Sequence, residues 1–247
     1  YPENNIKNPS HGMFQSVYDY PYLSSSANHI FDITIGVSPQ SNEYSGITSM
    51  QSKKRNVYNQ MSQMLVGYDV TGSILEFDDD GNILAGGAKI REAIVLPFAR
   101  LLVKDEIKKG TFSMTLGVGN TYAAPFAATM TITDTSGSNG YFVNSPVGEY
   151  GILYAESPLT GHTKCGLLYY QAGIAVLTAS VLTKLVRADA AVALDSTGNN
   201  FDSLLSGSTI QTIATAVRQR IQNVQFNNTT ELNSTIYFCR ANHDEFN

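Results

Sequence analysis

Residues 99–116 read Ala99-Arg-Leu-Leu-Val-Lys-Asp-Glu-Ile-Lys-Lys-Gly-Thr-Phe-Ser-Met-Thr-Leu116. The hydrophobic period changes across a single glycine. Leu102, Val103 and Ile107 recur at helical spacing with charged residues between them, and Gly110 stands where a helix would end. Beyond it Phe112, Met114 and Leu116 alternate with Ser113 and Thr115, the pattern of a half-buried strand. The passage predicts a helix handing over to a sheet.

Upstream, the helical reading extends over residues 89–108, with Pro97 expected to kink or split the helix near Val95. A helix is also predicted over 53–65, with Val57, Met61, Met64 and Leu65 on one face. Phe31-Asp-Ile-Thr-Ile35 alternates as a first strand. Residues 1–22 carry Pro2, Pro9, Pro21 and the rings Phe14, Tyr18, Tyr20 and Tyr22, so residues 1–30 are expected to form an extended arm. Those four rings are the candidate partner-binding residues, predicted to contact another chain.

Downstream the sequence is strand-rich. Strands are predicted over 112–118, 127–133, 150–155, 165–170 and 174–182, with a tight hairpin at Gln171-Ala-Gly173. A third helix is predicted over 208–222, where Ile210, Ile213, Val217 and Ile221 share a face and Arg218 and Arg220 sit near the end. Ile236 and Phe238 alternate in a last strand over 233–240. The fold class is therefore α+β, mainly antiparallel β-sheet with about three helices. Residues 31–247 form the body, with a candidate division near 110 and an expected continuation beyond 247. Tyr1 is not an initiator Met, so the chain reads as processed or as a fragment.

Only 15% of the 247 residues are charged, and Ser, Thr, Asn and Gly take their place. Such a neutral polar surface suits durable complexes or an extracellular setting. A net charge of −5 and a pI near 5.3 argue against nucleic acid and anionic lipid as partners. No apolar run approaches the ~20 residues of a membrane-spanning helix. Two cysteines, Cys165 and Cys239, do not make a secreted disulfide framework. The glycosylation-type triplets at Asn227, Asn228 and Asn233 are what an Asn/Thr-rich segment contains by chance.

Three constellations invite a chemical reading, and each has a plainer one. Glu76-x-Asp78-x-Asp80-Gly81-Asn82 resembles the start of a calcium loop, but Gly87 occupies the position that needs a bidentate carboxylate. It reads as turn chemistry. His162, Cys165, Cys239 and His243 supply two nitrogens and two sulfurs, yet without a compact knuckle they read as core thiols and loop imidazoles. Asp134, Glu149 and Glu156 could pair for sugar cleavage, as strand-end carboxylates often do by accident. Gly117-Val-Gly119 lacks the third glycine of a phosphate cradle, and no hydrolase elbow or zinc-protease helix is present. Arg91, Arg100 and Lys104 read as solvated charges. No catalytic, cofactor or metal residue is assigned.

Several stretches carry a family resemblance. They are Phe98-Ala-Arg-Leu-Leu-Val-Lys-Asp-Glu-Ile-Lys-Lys-Gly-Thr-Phe112, Asn139-Gly-Tyr-Phe-Val-Asn-Ser-Pro146, Tyr150-Gly-Ile-Leu-Tyr154 and Thr230-Glu-Leu-Asn-Ser-Thr-Ile-Tyr-Phe-Cys-Arg-Ala-Asn-His-Asp-Glu-Phe246. Together they resemble virion structural proteins of tailed bacteriophages, particularly tail and baseplate components. The resemblance implies a non-enzymatic subunit located in the virion and assembled in the host cytoplasm. Its implied partners are other virion structural proteins and further copies of itself, with no cofactor. A capsid, neck or portal-adjacent protein fits the same features. From another class, an extracellular carbohydrate-binding or carbohydrate-cleaving β-protein could use Tyr141, Tyr169 and Tyr170 as a stacking platform, although the chain has no Trp.

Overall fold

The structure is a computed structural model that describes residues 3–44, 48–83, 87–134, 140–157, 161–182, 192–232 and 234–240. The strands are β1 (Ile6–Lys7), β2 (Gln15–Tyr18), β3 (His29–Val37), β4 (Phe77–Asp78), β5 (Lys89–Ile90), β6 (Glu92–Pro97), β7 (Glu106–Ile107) and β8 (Ser113–Gly117). There follow β9 (Thr129–Thr133), β10 (Phe142–Ser145), β11 (Gly148–Ser157), β12 (Gly161–Tyr169), β13 (Ile174–Thr178), β14 (Ile221–Gln225) and β15 (Asn228–Thr229). The α-helices among the described residues are α1 (Ser49–Leu65), α2 (Arg100–Val103), α3 (Phe201–Gly207) and α4 (Ile210–Arg220).

Eleven strands form one antiparallel sheet in the order β1-β2-β3-β6-β13-β12-β11-β9-β8-β14, with β10 pairing β11. Period-two alternation sorts its side chains onto two faces. Phe31, Ile33, Ile35, Ile94, Leu96, Ala175, Leu177, Met114 and Ile132 share a core with Phe201, Leu205, Ile213 and Val217 of α3 and α4. On the other face Val95, Val176, Ile152 and Tyr169 share a core with Tyr58 and Leu65 of α1 and with Phe77 and Ile90 of the β4–β5 hairpin. The sheet is thus covered on both sides, and the α+β reading holds. Gly36 lets α1 close onto β3: a Cβ there would lie 2.9 Å from the Tyr58 Cα.

The strands expected at 31–35, 112–118, 127–133, 150–155 and 165–170 form, whereas the one expected over 174–182 ends at Thr178 and Ala179–Leu182 is a 3-10 helix. α1 and α4 form as well, each with a threonine N-cap (Thr48, Thr209). The helix expected over 89–108 does not form. Ala93, Ile94, Val95 and Leu96 are buried on both faces of a central strand, and a continuous apolar run carries no period to distinguish it from a helix. Pro97 ends that strand instead of kinking a helix. Only the single turn of α2 is helical, and it stops at Lys104, which adopts φ 56°. Gly110 does take positive φ (75°), in a turn that leads to β8. Strands from both sides of residue 110 share the one sheet.

Residues 3–30 are not a free arm. β1 and β2 extend the sheet from β3, and side chains fasten them to α4. Gln15 Nε2 donates to Thr215 Oγ1 (3.0 Å), Gln211 Nε2 to the Pro9 carbonyl (2.7 Å), and Arg218 to Glu3 Oε1 (2.6 Å). The last strand, expected over 233–240, also departs from expectation: its described residues 234–240 are exposed and pair with nothing in the sheet.

Candidate functional site

Three of the four N-terminal rings, Phe14, Tyr18 and Tyr22, pack against rings of their own subunit. Phe14 lies 5.0 Å from the His11 ring, beside a groove of about 440 Å³ lined by Met13, Asp32, Val57 and Met61. Tyr18 packs 5.6 Å from His29 and 6.1 Å from Tyr22. Tyr20 and Tyr22 project from a turn that Asp19 organises by accepting from the amides of Tyr20 (2.8 Å) and Asn28 (2.6 Å). The Asn28 bonds hold the Asp19 carboxyl below its usual range. Tyr20 and neighbouring Leu23 remain 57% and 83% exposed.

The acidic loop is filled from within. Lys89 Nζ donates to Asp78 Oδ2 (2.6 Å) and to the Ile83 carbonyl (2.7 Å). Burial pushes the Asp78 carboxyl up, while its hydrogen bond to Asp80 holds Asp80 down. The loop amides of Asp80, Asn82 and Ala88 donate to Asp78, Asp80 and Asp79 in turn. A Cβ on Gly87 would collide with Asp78, so the missing bidentate ligand has no room there. These are turn and ion-pair roles.

The other candidates disperse. Cys165 is buried and donates to the Leu153 carbonyl (3.4 Å), whereas Cys239 is an exposed free thiol. Burial pushes the Cys165 thiol well up. The His162 side chain and His243 lie outside the described residues. Asp134 is fully buried and accepts from the amides of Gly110 (2.8 Å) and Phe112 (2.9 Å) and from the Tyr170 hydroxyl (3.2 Å), which pins the turn into β8. Glu149 pairs with Lys109, and Glu156 lies exposed on β11. The sugar platform fails too: Tyr169 and Tyr170 are 1% and 0% exposed.

Buried charge was the feature hardest to read from sequence. Arg220, read from sequence only as a charge near the end of its helix, is buried and donates to the carbonyls of Gly117 (3.3 Å), Gly119 (2.6 Å), Thr121 (3.4 Å) and Ala193. Those contacts show the Gly117–Gly119 turn presenting carbonyls to a cation rather than amides to a phosphate. The signal was its position: Arg220 follows Ile213 by seven residues and Val217 by three, on the apolar face. Lys54 on α1 is likewise fully buried, and its amine donates to the Leu205 carbonyl.

One surface combines sequence pattern and exposure. The Glu231 amide donates to Asp105 Oδ2 (2.8 Å), and beyond it the described residues 232 and 234–240 pair with no strand of the sheet. Leu232, Ile236, Tyr237 and Phe238 are 92%, 75%, 84% and 94% exposed. Nearby, β14 ends the sheet and pairs with β8 alone among the described strands. Comparison with known protein families, characterised proteins and solved structures finds no match to this chain.

Proposed function

We propose that this chain is a structural subunit of a tailed-bacteriophage particle, in its tail or baseplate, working through contacts with neighbouring subunits. The observation that carries the reading is the run Ile236-Tyr237-Phe238, three large apolar side chains that their own subunit leaves in water. Covering each would contribute roughly 1.5–3 kcal/mol, before the cost of ordering the segment. The exposed Tyr20 and Leu23 offer a second apolar contact. A surface with few charges adds little desolvation cost to such burial. The sequence resemblance supplies the virion setting, in which a capsid, neck or portal-adjacent position fits the same contacts.

Mass spectrometry of purified intact particles from the source phage tests this directly. The chain is expected in the particle at a fixed ratio to other virion proteins. Its absence from particles, or turnover of a substrate by the isolated monomer, would overturn the proposal.

A further inference from the structure

We infer that residues 234–239 of one copy add as a strand to the outer edge of β14 in a second copy. This rests on the subunit reading above and names the partner. The segment Ser234-Thr-Ile-Tyr-Phe-Cys239 contains no charge, glycine or proline and is rich in β-branched and aromatic residues. That composition favours a strand, yet the segment is exposed and its own sheet gives it no partner.

The recipient edge has complementary properties. Ile221-Gln-Asn-Val-Gln225 likewise lacks charge and proline, the devices that normally block edge-to-edge pairing. A register shift between Ile221 and Asn223 leaves Asn223–Gln225 as its regular part. The edge is bordered by a half-buried apolar pair: Val224 and Phe226 pack against the main core, and the Phe226 ring lies 5.2 Å from Phe98. An added strand would place Ile236 and Phe238 on one face, where they extend that core. Thr235 and Tyr237 would fall on the other face, beside Asn223 and Gln225. Main-chain hydrogen bonds would supply affinity, and the alternating side chains register.

The copy's own segment is directed elsewhere. After β14 the chain turns away to pair β15 with β7, and Glu231 is tied to Asp105. A second molecule is therefore the donor, and the contact joins two different patches of one chain.

Sedimentation of the full chain and of the double variant Ile236→Ser/Phe238→Ser tests the inference, with hydrogen exchange at residues 223–225 as the positional readout. Both side chains are exposed in the single copy, so under dilution to monomer the variant is expected to melt at the wild-type temperature. The wild type should form dimers or larger species, the variant should be monomeric, and the amides of 223–225 should exchange faster in the variant. A wild-type monomer, an assembly that survives the double substitution, or equal exchange at 223–225 would overturn it. Any of these leaves the subunit reading to be judged by particle composition.

Discussion

The guanidinium of Arg218 donates to Glu3 Oε1 at 2.6 Å, joining residues 215 positions apart. It also donates to Gln15 Oε1 (3.2 Å), so one buried cation on α4 holds both the start of the chain and β2. Glu3 is largely exposed, and Gln15 remains in place without it. Replacing Glu3 by Gln is expected to cost about 1 kcal/mol or less. Arg218→Met leaves buried Gln15 without that donor and should cost roughly 2–4 kcal/mol, read by urea unfolding. Limited proteolysis should then cut within residues 3–18 of the arginine variant first.

Lys54 makes stability depend on alkaline pH. Burial pushes its amine down to about 8 from an ordinary 10.5. Between those values the unfolded chain holds a proton that the folded chain has released, so stability rises with pH across the window. Below pH 8 both states carry the charge, and the full penalty, on the order of 3 kcal/mol, is present. Lys54→Met should therefore be more stable than wild type at pH 7, with the difference shrinking by pH 10. Urea titrations at the two pH values check this, and a pH-independent difference would contradict it.

Lys89 pairs with the buried Asp78 carboxyl of the acidic loop. Calorimetry with calcium is expected to show no micromolar binding to the wild type. Lys89→Met leaves buried Asp78 without its ammonium and should cost about 2–4 kcal/mol at pH 7. With that partner gone, the folded Asp78 carboxyl rises further above its unfolded value. The deficit is then smallest near pH 4 and grows as pH rises through the folded value, which thermal melts at pH 4 and 7 would show.

The two thiols report on folding and on the exposed segment. A maleimide should label Cys239 rapidly in the folded, monomeric Ile236→Ser/Phe238→Ser variant and Cys165 only after unfolding. Mass spectrometry is expected to show one label per native chain and two per denatured chain. Rapid double labelling would contradict the buried position of Cys165 on β12.

Much of the sheet was legible because alternation is a local signal. Phe31–Ile35, Met114–Leu116 and Met130–Ile132 each send every second side chain to one core, and a period of two survives any long-range pairing. α1 and α4 were legible through their 3.6-residue period, while their caps Thr48 and Thr209 came only with the structure. Ala93–Leu96 was not, because a strand buried on both faces loses its period. Ile236 and Phe238 show the reverse case, a strand-like pattern that pairs with no strand among the described residues.

By itself, then, the order of residues determined where backbone segments are extended or helical and which faces are apolar, since those follow from steric preference and spacing along the chain. Tertiary structure alone decided that Arg218, Arg220 and Lys54 lie inside, that Lys89 pairs with Asp78 in the acidic loop, and that Glu3, Pro9 and Gln15 are fastened to α4. Each depends on groups tens to hundreds of residues apart meeting in a medium with little water. There, desolvation and hydrogen-bond partners outweigh anything that neighbouring residues specify.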